Sequence, residues 1–393
     1  MERLNNPFVI YGYKGAEYFC DRQKETESIM RALHNERNVA LISPRRIGKT
    51  GLIHHAFAQI AKVEPDTRCF YMDINATRNL QQFVELFAKT VIGKLDTPSQ
   101  SVLRKITTLF SSYKPVLSID ELTGMPSFSI TVSNDQKEES LKHVLDYLKV
   151  SDKRIYVAID EFQQIADYPE KNVEALLRSY IQFIPNVVFV FAGSKQHIMA
   201  EMFTSAKRPF YQSSQMLSLS PIDKNVYCDF ANSLMARKNM NLSDDVFGYI
   251  YDVMDGQTWY VQHILNRLYD RGWEVDIQSV NDTIMASVME QEVAFLNYYE
   301  SLTYNQSQLL LAIAREKAVE SVLSQDFIHR HGLPASSSVS LALKSLTERE
   351  FVYKYNGKYN ARFGEICQKS ASEFCNDTFK ANLLMFVFCT CFI

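Results

Sequence analysis

The feature that most constrains this chain is a short loop that ends in Gly48-Lys49-Thr50. An apolar stretch at residues 38–42 comes just before the loop, and residues 52–60 after it have the pattern of a helix. The order strand, loop, Gly-Lys-Thr, helix is typical of a phosphate-binding loop, in which backbone N–H groups and the positive end of the helix face phosphate oxygens. The sequence therefore predicts a site for a nucleoside triphosphate at this loop.

Lys49 and Thr50, at the end of the loop, are expected to bind different parts of the ligand. Lys49 is expected to reach the β- and γ-phosphates of ATP, and the Thr50 hydroxyl to ligate Mg²⁺. Ser43 stands where the motif normally has its first glycine, and a serine fits there if the turn needs no positive φ. The predicted nucleotide-binding residues of the loop are Pro44, Arg45, Arg46, Ile47, Gly48, Lys49, Thr50 and Gly51.

A second motif ends in two acids at Asp160-Glu161. Residues 154–159 before them are apolar and β-rich, which is typical of a strand buried on both faces of a parallel sheet. Because open α/β sheets bind ligands at the C-terminal ends of their strands, Asp160 is expected to hold Mg²⁺ and Glu161 to polarise the attacking water. Ser194 follows another apolar run and is expected to sense the γ-phosphate. A solvated acidic turn and an ordinary turn serine are the alternative interpretations.

A similar pair of acids, Asp120-Glu121, also follows an apolar run. Gly124 and Pro126 come directly afterwards, and residues 127–132 alternate between polar and apolar. This pattern predicts a hairpin with one exposed face rather than a core strand that leads into a helix. We therefore reject Asp120 and Glu121 as metal or water ligands.

The order of the remaining segments predicts the fold class. Strand patterns at residues 69–74, 186–192 and 216–219 alternate with helical patterns, as in a doubly wound α/β sheet. Helices dominate after residue 221, and three helices followed by a hairpin at Asn356-Gly357 predict a winged helix-turn-helix. The predicted domains are a P-loop α/β domain at 1–220, a helical lid at 221–300, a winged helix at 301–365 and a tail of unassigned role at 366–393.

Composition narrows the class of protein. A net charge of -3 over 393 residues gives no global sign of a nucleic-acid-binding protein, although a local basic patch stays open. Seven cysteines without metal-site spacing indicate reduced thiols in a cytoplasm. Since the start of the chain is polar and no apolar run is long enough to span a bilayer, we expect a cytoplasmic protein without a membrane contact.

The predicted winged helix is mildly basic, which bears on its partner. DNA binding would use phosphate contacts from its basic residues, with the third helix in the major groove. The outward positions of that helix are mostly small, however, with Ser337, Ser340 and Ser345 beside a single charged residue, Lys344. Winged helices also serve as protein-contact modules, so DNA and protein partners both stay open.

Together these motifs resemble those of the archaeal-type ATPase family, a branch of the AAA+/STAND P-loop proteins. The resemblance covers residues 5–365 and includes the double arginine before Ile47-Gly48-Lys49-Thr50. It implies that the Ser194 strand lies between the loop strand and the Asp160 strand, and that Arg22 and Glu25 belong to the adenine-side wall. The other matching segments are Asn6-Pro7-Phe8, Phe19 with Arg22 and Glu25, Tyr71-Met72-Asp73, Ile159-Asp160-Glu161-Phe162, Gly193-Ser194 and Leu219-Ser220-Pro221.

The chain also departs from the family pattern. Tyr211-Gln212-Ser213 stands where relatives tend to carry Tyr-x-Arg, and Arg208 just upstream is a weak substitute for that arginine. The leading hypothesis is an ATP- and Mg²⁺-binding switch ATPase with slow hydrolysis, in which Lys49, Glu161 and Ser194 are catalytic. The expected partners are DNA or protein at the winged helix and, separately, further copies of the chain in a homo-oligomer. Its rivals are a nucleotide-gated regulator that does not hydrolyse ATP, and a DNA-binding regulator whose P-loop domain is an oligomerisation scaffold.

Overall fold

The computed structural model describes residues 4–361 apart from 93–94, 96–115, 120–125, 130, 273–274, 291–296, 298–299, 317, 350 and 356. Contacts divide the chain into two units. One unit, the sheet unit, is Tyr11–Ile222, and the other, the helical unit, comprises the described parts of Met1–Ile10 and Asp223–Ile393. Asp120, Glu121, Asn356 and the tail at 366–393 lie outside the described residues.

A parallel sheet forms the centre of the sheet unit. The described strands of this unit are β1 (Val39–Ile42), β2 (Arg68–Asp73), β3 (Val116–Ile119), β4 (Pro126–Ser129), β5 (Ile155–Asp160), β6 (Val187–Gly193) and β7 (Gln215–Ser218). Five of them form the sheet in the order β2-β5-β6-β1-β7, and β3 and β4 form a separate antiparallel pair. This order confirms the predicted doubly wound sheet and the position of the Ser194 strand between the loop strand and the Asp160 strand.

Successive side chains along each strand point to opposite faces of the sheet, and each face has its own apolar core. In β5, Ile155, Val157 and Ile159 face one core, whereas Tyr156 and Ala158 face the other. All six residues of β5 are buried, which explains why the strand reads as one continuous apolar run. Helices α1 (Gln23–His34) and α2 (Lys49–Val63) cover the Tyr156 face. The other face is covered by α3 (Leu80–Val91) and by the helices Lys137–Lys149, Val173–Ile181 and Gln196–Thr204.

Strand register brings the predicted ligand positions to one edge of the sheet. Asp160 at the end of β5 pairs with Asp73 at the end of β2, and Ile42 at the end of β1 pairs with Gly193 at the end of β6. All the strand pairs of this sheet are parallel, so their C-terminal ends and the loops that follow them meet at the same edge. The phosphate-binding loop and both acids start from that edge.

The helical unit includes the first residues of the chain. Asn6 donates a hydrogen bond from Nδ2 to the Asn266 carbonyl (2.9 Å), and Asn266 Nδ2 donates to the Phe8 carbonyl (2.7 Å). Trp259 Nε1 donates to the Ile10 carbonyl (3.1 Å). These bonds tie the opening segment to the helix Thr258–Arg271. The other described helices of this part of the chain are Lys224–Met235, Asp244–Val253 and Ile277–Met289.

The same unit contains the predicted winged helix. Three helices, Tyr304–Glu316, Gln325–Arg330 and Ser336–Glu348, precede the antiparallel hairpin of β8 (Val352–Tyr355) and β9 (Lys358–Ala361). Val319 adds a bridge to Tyr359, which extends the small sheet beyond the hairpin. Among the described helices, none combines the length and apolar character that crossing a bilayer requires.

A substitution in the aromatic core tests the packing of the sheet unit. Phe191 on β6 is fully buried, with ring centroids 4.5 Å from Phe162 and 5.1 Å from Phe210. We expect Phe191→Ala to lower the free energy of unfolding by about 4 kcal/mol, because it removes a large buried ring and leaves a cavity. Urea unfolding measures the change. The control Phe183→Ala alters a ring that is 65% exposed, and an equal loss in both variants would contradict this packing.

Candidate nucleotide-binding site

The loop between β1 and α2 has the backbone of an anion-binding turn. Gly48 has a φ of 95° and Arg46 a φ of 66°, both in the left-handed region. Ser43 is not among the described residues with positive φ, and its N–H donates to the Gly193 carbonyl at 3.3 Å. Since Ser43 needs no glycine-like backbone, serine fits the position where the motif normally has glycine.

Helix α2 begins directly at Lys49, with Gly48 in the capping position. Gly48 has no side chain with which to cap the first turn. The first N–H groups of a helix have no partner within it, so these groups and the dipole of a 15-residue helix are directed at the loop. This is the arrangement that binds a phosphate group.

Lys49 lies between the two acids at the end of β5. Its Nζ is 3.2 Å from Asp160 Oδ1 and 3.1 Å from Glu161 Oε1. Lys49 and Asp160 are buried, and Glu161 is largely buried. Burying three charges costs free energy unless they are paired, and here one ammonium serves two carboxylates. The structure thus brings Lys49 together with the acids that the sequence placed 111 and 112 positions away.

Asp160 accepts hydrogen bonds on both of its carboxylate oxygens. Its Oδ2 accepts from Thr50 Oγ1 and from the Tyr71 hydroxyl, each at 2.8 Å. Its Oδ1 accepts from the backbone N–H of Glu161 at 2.9 Å, next to Lys49. Burial and the neighbouring Asp160 charge raise the pKa of Tyr71, so the phenol keeps its proton and acts as a donor. Sequence reasoning gave Tyr71 no role at the site, since its only signal was its place in the Tyr-Met-Asp run.

Glu161 is held by groups from three different elements. It has a left-handed backbone with a φ of 55°, and its Oε2 accepts from Ser194 Oγ at 2.7 Å and from Gln163 Nε2. Burial alone would raise the pKa of Glu161, but the Lys49 charge and the hydrogen bonds from Ser194, Gln163 and Lys49 outweigh it and lower that pKa. The carboxyl group is therefore ionised at neutral pH, as a water-orienting group must be.

Asp73 stands beside this cluster at the end of β2. Burial raises its pKa, and the charges of Asp160 and Glu161 add to that effect, whereas a backbone hydrogen bond from Asn75 and the Lys49 charge oppose it. The edge of the sheet therefore concentrates negative charge around one lysine, and an added cation would be stabilised there.

Arg22 lies at the start of helix α1. The helix begins at Gln23 with Arg22 as N-cap, and Asp21 and Arg22 both have positive φ. The buried Arg22 guanidinium donates to Glu25 Oε1 (2.9 Å), to the Ser220 carbonyl (2.6 Å) and to the Ile47 carbonyl (3.4 Å). It thus joins the phosphate-binding loop to the segment after β7, and its predicted contact with adenine stays a prediction.

An aromatic cluster lies against the first turn of α2. The Phe19 ring stacks on His55 with centroids 4.2 Å apart, and the Tyr13 hydroxyl is 2.9 Å from His55 Nδ1. A side chain added at Gly51 would place its Cβ 3.5 Å from the Phe19 ring. Gly51 therefore lies beside the Phe19 ring, at a distance where a Cβ would make an ordinary van der Waals contact.

The loop also contains Pro44, Arg45, Arg46 and Ile47, which the structure places between β1 and α2 as predicted from order alone. Ile47 is buried in the core beneath the loop, and Arg45 is exposed. Arg208, the substitute for the missing Tyr-x-Arg arginine, pairs instead with Glu174, its Nη2 lying 2.5 Å from Oε1. Its second described partner is Glu201, at 3.8 Å.

The donor atoms at the site fit a magnesium ion. Thr50 Oγ1 and Asp160 Oδ2 are neutral and anionic oxygens that already point at each other, and Mg²⁺ prefers oxygen ligands. Among the described residues, no group of three or more His, Cys, Asp and Glu side chains forms a metal site. In nucleotide sites, one or two protein oxygens bind Mg²⁺ together with phosphate and water.

Comparison with known families agrees with this geometry. A model of the ATPase domain predominantly from Archaea matches residues 19–264, and a model of a probable winged helix domain matches residues 293–362. The chain belongs to this archaeal-type ATPase family. A Methanocaldococcus jannaschii relative, described as an ATP-binding protein, is 23% identical over 274 residues, which cover 64% of this ATPase and 73% of the relative.

Solved structures share the fold of this archaeal-type ATPase. The Walker-type ATPase of Pyrococcus abyssi has a TM-score of 0.61 at 16% identity, with 96% of this chain and 99% of that chain covered. The Aeropyrum pernix ORC2 protein, in ADPNP–ADP complexes, has a TM-score of 0.57 at 16% identity, with 90% and 92% covered. At these identities the likeness shows the fold alone: a P-loop ATPase sheet followed by a winged helix.

Removing the Lys49 ammonium tests the charge balance of the site. We expect Lys49→Met to lower the free energy of unfolding of the nucleotide-free protein by about 3 kcal/mol at neutral pH, because two buried carboxylates lose their shared cation. The loss should shrink as the pH falls, since Lys49 no longer depresses the pKa of Glu161 and the carboxyl group takes up a proton.

Melting temperatures between pH 5 and pH 8 measure this effect. Lys62→Met is a matched control on the same helix, where the ammonium is exposed and bonds Gln59 Oε1 at 3.1 Å. A pH-independent loss, or a loss no larger than that of the control, would show that Lys49 does not balance the two acids.

Proposed function

We propose that this ATPase binds ATP with magnesium and hydrolyses it slowly to ADP and phosphate, as a nucleotide-dependent switch. The observation that carries the proposal is the Lys49, Thr50, Asp160 and Glu161 cluster at the edge of the sheet. In such sites catalysis consists of positioning and charge stabilisation, and the protein contributes little covalent chemistry.

Each residue of the cluster has a defined task in this proposal. Lys49 leaves the two acids to bind the β- and γ-phosphates, together with N–H groups at the start of α2. Thr50 Oγ1 and Asp160 Oδ2 hold the magnesium ion, which neutralises charge on the phosphate oxygens when it is bound. Glu161 orients the attacking water. Ser194, whose single O–H donates to Glu161 Oε2, monitors the γ-phosphate through that carboxylate.

The proposed switch arises because Lys49 pairs with the two acids in the absence of nucleotide and binds phosphate in its presence. Without nucleotide, its ammonium is committed to Asp160 and Glu161, and phosphate competes with both carboxylates for the same cation. Binding of ATP therefore breaks two ion pairs at the edge of the sheet and leaves Glu161 bonded to Ser194 and Gln163. A change in bonding of this kind is a local event that can shift a larger equilibrium.

Turnover of radiolabelled ATP tests the enzymatic part of the proposal. We expect slow phosphate release by the wild type and a decrease of about 100-fold or more in Glu161→Gln, because the amide cannot accept a proton from water. The affinity for ATP should stay within a few-fold of the wild-type value, as the loop is unchanged.

The control Glu27→Gln, which neutralises an exposed carboxylate on α1, should leave turnover unchanged. Equal background release from wild type and Glu161→Gln would remove hydrolysis and favour a nucleotide-gated regulator.

For the winged helix we propose a protein partner rather than DNA. On its third helix Leu341 is 72% exposed, between the small residues Ser337 and Ser340 and the ammonium of Lys344. Several basic groups of the described domain already have acidic partners. These pairs are Arg330 with Glu316 and Asp326, Lys344 with Glu348, and Lys358 with Glu320. An apolar centre with compensated charge suits a protein surface better than phosphate.

DNA-shift assays across salt concentrations test this choice. We expect no measurable retention of mixed-sequence duplex DNA even at low salt, because phosphate binding depends on basic groups that are free to replace counterions. The opposite result would be an affinity that falls steeply with salt and weakens in Lys344→Glu, while the matched Leu341→Ser variant still binds. That outcome would assign the third helix to DNA.

A further inference from the structure

Gln163 is a buried glutamine that contacts Glu161, the residue to which the proposed function gives the water-orienting role. Gln163 lies in the short 3₁₀ helix Phe162–Asp167, two positions after Glu161, and is 3% exposed. Its Nε2 donates a short hydrogen bond to Glu161 Oε2. The left-handed backbone of Glu161 turns the chain so that the two side chains face each other.

The backbone of β6 leaves room for this amide. A Cβ built at Gly193 would lie 2.2 Å from Gln163 Oε1 and 2.6 Å from Met199 Cγ. Because such contacts are too short for real atoms, the Gln163 amide occupies the space that any other residue at position 193 would need. Gly193 comes directly before Ser194, so one turn of backbone accommodates Gln163 and presents the Ser194 hydroxyl.

The two oxygens of Glu161 therefore have different partners. Oε2 accepts from Ser194 Oγ at 2.7 Å and from Gln163 Nε2, both neutral donors. Oε1 accepts from Lys49 Nζ at 3.1 Å, and Lys49 is the group that the proposed function transfers to phosphate. Once Lys49 has moved, Oε2 keeps both of its donors and Oε1 has lost its ammonium.

We propose that Gln163 is a positioning residue for hydrolysis: with Ser194 it anchors Glu161 Oε2, so that Oε1 is the oxygen that orients the attacking water. This inference rests on the proposed function. It assigns the step at atomic level: water donates one O–H to Oε1, and its oxygen attacks the γ-phosphorus as that proton moves toward the carboxylate. The bond to the leaving ADP oxygen breaks, and no oxidant or further reactant is needed.

An amide suits this position because it donates a hydrogen bond at every pH. A glutamate at position 163 has the same shape but donates only when it is protonated. When it is ionised it repels Glu161, and two carboxyl groups at this distance share one proton. A charged substitution at position 163 therefore distinguishes a positioning role from a packing role. If Gln163 only filled space, the effect of a glutamate of the same shape on kcat would not depend on pH.

The test compares Gln163→Glu with Gln164→Glu in the full chain. Gln164 is the next residue, and its Nε2 donates to the Thr77 carbonyl at 3.2 Å, away from Glu161. We expect kcat of Gln163→Glu to fall about 10-fold at pH 8, and the ratio of its kcat to that of wild type to rise as the pH falls to 6, as the shared proton restores a donor. Gln164→Glu should follow the wild-type pH profile. The Kd for ATP should change less than about threefold in each variant, because the phosphate-binding loop is intact.

Gln163→Met supplies a second, uncharged test in case the glutamate variant does not fold. It keeps a similar volume without a donor, so kcat should fall at every pH with no recovery in acid. The positioning role is overturned if the kcat ratio of Gln163→Glu to wild type does not change with pH, or if Gln163→Met has the kcat of wild type. The proposed function still stands in that case, provided that the wild type hydrolyses ATP and Glu161→Gln does not. Absence of turnover in the wild type overturns both.

Discussion

The structure depends on one lysine between two buried acids. Lys49 joins the first turn of α2 to the end of β5, and without its ammonium the buried Asp160 and Glu161 carboxylates would repel each other. Removing one member of a buried charge group costs several kcal/mol, because the remaining charges lose their compensation. In the proposed function the same property makes the site responsive to ligand, because a phosphate group takes the cation only by changing how both acids are bonded.

The donors around these acids come from separate parts of the sheet unit and meet only at its C-terminal edge. Tyr71 on β2 and Thr50 on α2 donate hydrogen bonds to Asp160, and Ser194, which follows β6, donates one to Glu161. Parallel strands make this convergence possible, since the ends of β2, β5, β6 and β1 lie side by side. Buried carboxylates that are fully bonded have defined orientations, and a site for phosphate chemistry needs such orientations before the ligand arrives.

Sequence reasoning located the strands, the loop and both acids because each is a local pattern with a physical cause. A strand buried on both faces must be apolar throughout, and a glycine before Lys49 must allow positive φ. It gave no sign that Asp21 and Arg22 both adopt positive φ before α1 begins at Gln23, because neither residue type requires that backbone. It also passed over Gln163, whose amide meets Glu161 only after the backbone has turned at a φ of 55°.

The sequence by itself determined the order of elements, the P-loop class of the sheet, the winged helix and the positions of the loop and the two acids, since periodicity and short motifs act over a few positions. Tertiary structure alone decided which oxygen of each acid has which donor, that Arg22 ties the loop to Ser220, and that Gly193 makes room for Gln163. Those contacts join residues far apart in the chain. Their geometry arises from strand register and packing, which no local pattern of residues encodes.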